Sequence, residues 1–151
     1  MFNIGDTAPD FTVNNHSGES VSLSALKGKN VVLFFYPKAD TPGWTIEACS
    51  FRDAQSQFDS ANTVLLGISP NTEKEQGAFA SKYGLMMQLL ADHDHAIAEA
   101  YGIWGEKNMY GKKYMGVDRT TFVIGPDGKF AHIFLKVKPD GHADEVLKAL
   151  S

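Results

Sequence analysis

The stretch NVVLFFYP limits the folds open to this chain more than any other. Over 31–36 every side chain is β-branched, aliphatic or aromatic, with no alternation of polar and apolar positions. A strand with one wet face would alternate, so the run predicts a strand covered on both faces, central in its sheet and with parallel neighbours. Pro37 ends it, because proline has no N–H to give to a ladder. The runs TVLLGIS at 63–69 and TTFVIG at 120–125 read the same way. The turn GPDGK at 125–129 then leads into FAHIFLKV, predicted as an antiparallel partner.

Between these strands the apolar spacing changes to three and four. Trp44, Ala48, Phe51, Ala54 and Phe58 recur at that interval and predict one helix over 44–58 with one buried stripe. Thr72 and Glu75 form a capping-box pattern before a helix that Gly84 closes. Further helices are predicted over 96–101, stopped by Gly102, and over 142–150, with Asp140 as cap. Two short alternating runs, 11–13 and 21–23, flank Asn, His, Ser and Gly and predict an N-terminal β-hairpin. The sum is an α/β chain whose central mixed β-sheet is flanked by helices, a layout that resembles the thioredoxin-like fold.

Composition narrows the function. With 151 residues, 43% of them hydrophobic, the chain has material for one core, and a single domain over 1–151 is expected. Fourteen basic against eighteen acidic residues give a charge of −4, and the basic residues are scattered, which argues against nucleic acid or an anionic membrane as partner. The start MFNIGDTAPDF has neither the basic residues nor the apolar run of a signal peptide, and no apolar run approaches a membrane span, so a cytoplasmic location is expected. The one cysteine, Cys49, excludes an internal disulfide and any C-x-x-C motif.

In open α/β sheets the site lies at the carboxyl ends of the strands, and YPKADTPGWTIEAC leaves the strand that reads as most central. Thr41 suits the N-cap, Pro42 the first helical position, and Trp44 then falls in the first turn, where backbone N–H groups are free and the helix dipole is positive. A thiol there would be shifted toward its reactive thiolate. An indole gains nothing from that field, and by periodicity alone Trp44 is a core aromatic.

The segment FFYPKADTPGWTIEACSFRD resembles the active-site segment of Q-type peroxiredoxins, the bacterioferritin comigratory proteins. The resemblance extends through GDTAPDFTV, KYGL, LLAD, AEAYGIWGEK and YMGVDRTTFVIGPDGK, almost the whole chain. The family pattern of Pro, three residues, Thr, two residues and Cys falls on Pro37, Thr41 and Trp44, so tryptophan stands at the position of the peroxidatic cysteine. Cys49 matches the resolving cysteine of many members, and Arg119 in GVDRTTF matches the arginine that completes the pocket. The resemblance implies a peroxide substrate, a thioredoxin-type reductant, no cofactor and no metal. It also implies that this chain, without the peroxidatic thiol, is inactive.

Other readings compete. Cys49 could serve a one-cysteine peroxidase, although it lies a turn deeper, where the amides are paired and the dipole field is weaker. The cluster DHDH at 92–95 invites a metal but reads as solvated capping, since its spacing supplies no further zinc ligand. His16, His132 and His142 read as surface residues, and Met86 and Met87 as core fillers. A non-enzymatic thioredoxin-fold binding protein, sensor or chaperone is the alternative of a different class. It gives no reason to keep Pro37, Thr41, Cys49 and Arg119 together, and the peroxidase scaffold is preferred on that ground.

Overall fold

The computed structural model describes residues 2–38, 42–138 and 141–150. Its centre is a five-stranded sheet. The run NVVLFF forms β3 (Asn30–Phe35), which pairs in parallel with β4 (Thr63–Ser69) and antiparallel with β8 (Thr120–Ile124). Outside them lie β5 (Gln88–Ala91), parallel to β4, and β9 (Phe130–Leu135), antiparallel to β8, so the order is β5-β4-β3-β8-β9. The expected mixed sheet is present, and it is continuous in apolar character because both faces are covered.

Those faces separate cleanly along β3. Val31, Leu33 and Phe35 join a cluster with Tyr101, Phe122 and Phe130, whereas Val32, Phe34 and Tyr36 join one with Trp44, Phe51 and Phe58. Each fully buried phenylalanine contributes about 1.5–3 kcal/mol, which makes this strand the anchor of both layers. Gly67 on β4 is fixed by the second layer: a Cβ there would come within 2.9 Å of the Phe34 ring and of Leu89.

The helical stripe lies where its spacing puts it, but in two helices rather than one. These are α1 (Pro42–Asp53) and α2 (Gln55–Ser60), broken at Ala54, whose N–H is shared between the carbonyls of Ser50 and Phe51 at 3.2 Å each. That sharing tightens the turn and redirects the axis, while Phe51, Ala54 and Phe58 continue the apolar interval across it, so periodicity hides the break. In α3 (Glu73–Tyr83) the Thr72 and Glu75 capping box is present, and Gly84 closes the helix with a left-handed φ of 61°. Two short helices complete the set, α4 (Ala96–Ala100) and α5 (His142–Leu150). Asp140, expected to cap α5, lies outside the described residues.

The N-terminal hairpin is β1 (Thr12–Asn14) with β2 (Ser20–Ser22). Strand β5 and a second hairpin, β6 (Trp104–Met109) with β7 (Lys112–Val117), have no counterpart in the sequence-based expectation. The hairpin turns on Tyr110 and Gly111, both at positive φ (54° and 80°), as a two-residue primed turn requires. No helix among the described residues is long and apolar enough to cross a membrane.

Candidate active site

Antiparallel pairing sets Phe35, at the end of β3, opposite Thr120, at the start of β8. Arg119 and Tyr36 therefore lie across from one another at the same end of the sheet, although far apart in sequence. Helix α1 leaves this end with Pro42 as its first residue and Trp44 as its third. Trp44 is only 2% exposed, its ring 6.0 Å from that of Tyr36. The Arg119 guanidinium lies over the indole, with Cζ 4.8 Å from the ring centroid. The structure thus brings Trp44 and Arg119 into contact. Pro37 and Arg119 share a groove of about 520 Å³ with Tyr114, Val117, Lys136 and Val137. Thr41, expected as the cap of this helix, lies outside the described residues.

Cys49 is a half-buried free thiol on α1. At about 100° per residue it lies about 140° around the helix from Trp44, so the two positions face different surroundings. Arg52, further along, donates to the Tyr83 carbonyl at 2.7 Å and ties α1 to the end of α3. Beneath the site the Tyr36 hydroxyl donates to Gln76 Oε1 at 2.5 Å, and Gln76 Nε2 donates to the Leu90 carbonyl at 2.8 Å. Burial raises the Tyr36 phenol well above its ordinary value, so it remains a donor.

Two groups that the sequence does not mark as part of a site stand inside this layer. Glu47 is 0% exposed, and neither carboxylate oxygen has a hydrogen-bond partner among the described residues. Burial pushes its carboxyl up to about 8, with the Arg119 charge pulling the other way. A signal existed: Glu47 falls three residues after Trp44 and four before Phe51, on the stripe that spacing predicts to be buried. His142 corrects the expectation of a surface histidine. It is 2% exposed, because it opens the apolar face of α5 that also holds Ala143 and Val146. Its Nε2 lies 2.8 Å from Thr121 Oγ1 and 3.7 Å from Glu47 Oε1, and its Nδ1 lies 3.0 Å from Glu145 Oε1.

Elsewhere His16 is also more than a surface residue, since Nδ1 accepts from the Leu89 amide at 3.2 Å. His132 sits half-buried on β9. Asp92 caps α4 as expected, but buried rather than solvated. Its oxygens accept from Ile97 N at 3.0 Å and Ala98 N at 2.9 Å. No group of three or more His, Cys, Asp or Glu among the described residues could hold a metal ion. Met87 fills the core as expected, whereas Met86, in the loop before β5, is 79% exposed and corrects the same expectation.

The sequence profile of the AhpC/TSA family matches residues 4–133. The chain is 49% identical over 147 residues to the putative peroxiredoxin bcp of Coxiella burnetii, covering 97% of both chains. To the peroxiredoxin Bcp of Bacillus subtilis it is 44% identical, covering 97% of this chain and 94% of the relative. Among solved structures, PrxQ of Xylella fastidiosa superposes with a TM-score of 0.94 at 34% identity, over 99% of this chain and 96% of that one. The bacterioferritin comigratory protein of Xanthomonas campestris superposes with a TM-score of 0.88 at 38% identity, over 93% of this chain and 89% of that one. The chain therefore belongs to the AhpC/TSA family of thiol peroxidases, in its Q-type peroxiredoxin, or bacterioferritin comigratory protein, branch.

Proposed function

We propose that this chain is the single-domain, cytoplasmic scaffold of a thioredoxin-dependent peroxidase for hydrogen peroxide and organic hydroperoxides, and that Trp44 stands where the peroxidatic cysteine acts. The observation that carries the reading is the contact between Trp44 and Arg119 at the start of α1. A cation set over the first turn of a helix is the arrangement that would favour a thiolate and receive negative charge from a breaking peroxide. The bacterioferritin comigratory protein of Xanthomonas campestris has alkyl peroxide reduction activity, which supports organic hydroperoxides as substrates here.

With a thiolate at position 44, sulfur attacks one peroxide oxygen, the O–O bond breaks, and the alkoxide or hydroxide leaves and takes up a proton. Thr41 would bind the peroxide and Arg119 would hold the developing charge, with Pro37 lining the groove beside it. The sulfenic acid then condenses with the Cys49 thiol, releasing water and forming a disulfide that a dithiol reductant returns to two thiols. Since positions 44 and 49 point about 140° apart, the first turns of α1 must unwind for that bond to form. The indole performs none of these steps and fills the space beside Arg119, so the chain as it stands turns over no peroxide.

The test is peroxide consumption by this chain and by Trp44→Cys, each with thioredoxin, its reductase and NADPH. No turnover above background is expected for the first, and a gain of at least about 10³-fold for the second. Equal rates would remove position 44 from the reaction. A folded Trp44→Cys protein without activity would favour a binding protein on the same fold.

A further inference from the structure

The unpartnered carboxyl of Glu47 lies between two cationic or ionisable groups. Arg119 acts on it electrostatically from the start of β8, and His142 Nε2 stands 3.7 Å from Oε1 on the α5 side. That distance is too long for a hydrogen bond, so the contact is one of charge and proton state. The imidazole is fixed on all sides. Phe51 meets it edge-on at 5.7 Å and Phe134 at 5.4 Å. The Glu145 carboxylate, which only accepts, takes Nδ1–H at 3.0 Å, which leaves Nε2 to accept from the Thr121 hydroxyl at 2.8 Å and to face Glu47.

We infer that His142 is a positioning residue of the site: its imidazole, held by Thr121 and Glu145, faces the carboxyl of Glu47 and biases whether that carboxyl keeps its proton, and loss of the proton places a negative charge in the field of Arg119 and weakens the hold of that guanidinium on an anion. The inference rests on the reading of Arg119 as the cation that receives negative charge. Among the described residues the charged and titratable groups facing Glu47 are Arg119 beside β8, the Tyr36 phenol after β3, and His142 with Glu145 behind it on α5. Tyr36 stays neutral, and Glu145, 60% exposed, acts through the imidazole. Burial raises Glu47 and lowers His142, so near neutral pH the acid is protonated, the imidazole is neutral and the pair has no net charge. Arg119 is then unopposed. No ion pair holds its guanidinium among the described residues, and the open groove lies beside it.

The experiment uses the chain as it is, with sulfate as the anion probe. Carbon-13 spectra follow the Glu47 carboxyl while nitrogen-15 spectra follow Arg119 Nε–H, with and without sulfate. A Glu47 midpoint near 8 is expected, with Arg119 Nε–H shifting at the same midpoint. Sulfate affinity at Arg119 should fall about threefold or more from about pH 6.5 to about pH 9.5. Glu47→Gln should hold the low-pH affinity at every pH, and His142→Gln should move the midpoint by about one pH unit. If His142→Gln fails to fold, Glu145→Gln carries the test, since it alters only the Nδ1 partner and should move the midpoint downward. A flat Arg119 response, a response that survives in Glu47→Gln, or a midpoint unmoved by either α5 substitution overturns the inference. These readouts do not need catalysis. An inactive Trp44→Cys protein with the linked titration intact would strike the peroxidase reading alone, and a restored peroxidase with a flat titration would strike only this one.

Discussion

Among the described residues two carboxylates are buried, and the molecule treats them in opposite ways. Asp92, 2% exposed, sits where β5 gives way to α4 and takes the free amides of Ile97 and Ala98 on its two oxygens. Glu47, inside α1 on the other side of the sheet, has no donor on either oxygen among the described residues. Burial raises both, but in Asp92 two backbone hydrogen bonds act against the rise, whereas in Glu47 only the field of Arg119 does. A buried carboxylate that satisfies a helix end is part of the frame. One left unpaired beside a cation and an imidazole belongs to a site whose charge is meant to change.

The largest expected effect tests the frame side of that contrast. Asp92→Ala leaves two buried amides unpaired and removes two charge-assisted bonds, and should cost about 3–5 kcal/mol in urea unfolding at neutral pH. A loss below about 1 kcal/mol would mean that α4 is capped by other means and that the two carboxylates differ less than their geometry says.

Much of the fold around the two carboxylates was legible in the sequence, but the contrast between them was not. The unbroken run of β3 predicted a strand covered on both faces, and the interval of Trp44, Ala48, Phe51, Ala54 and Phe58 predicted a buried stripe without marking residue 47. What was missed is the consequence of a charge on that stripe, and the same holds for His142 at the head of α5. The β6–β7 hairpin gave no pattern because its strands are mostly exposed. Lys112, Lys113, Tyr114 and Met115 all face solvent, so no apolar alternation is imposed on them. The juxtaposition of Arg119 with Trp44 follows from the β3–β8 register, a long-range pairing that local spacing does not encode.

The next effect is a pH dependence. The folded value of Glu47, about 8, lies above the ordinary 4.5. The stability it allows is therefore full below the ordinary value and is lost as pH rises through the folded one. His142 is lowered by burial, so its contribution is full above its ordinary 6.5 and is lost as pH falls through its folded value. Stability should decline by about 2 kcal/mol or more between about pH 5 and about pH 9, and Glu47→Gln should remove most of that decline. Urea midpoints across the range measure it. A parent curve that is level over this interval would show Glu47 to be ionised at low cost, as Asp92 is held by its amides.

The smallest effect falls on Arg119, and it sharpens the comparison most finely. Its guanidinium is partly in water, so removing the contact with the Trp44 ring by Arg119→Gln should cost only about 0.5–1 kcal/mol. The same change takes away the one charge that lowers Glu47, so the Glu47 midpoint should rise above about 8 and the alkaline loss of stability should move up in pH with it. Asp92, on the far side of the sheet and held by backbone donors, should titrate unchanged. Carbon-13 titration of both carboxyls in the parent and in Arg119→Gln separates the outcomes. A rise in Glu47 alone means that Arg119 acts on the site through space, as the geometry requires. An unmoved Glu47 would mean that burial alone sets its proton, and the cation over Trp44 would then be packing rather than part of a charge-coupled site.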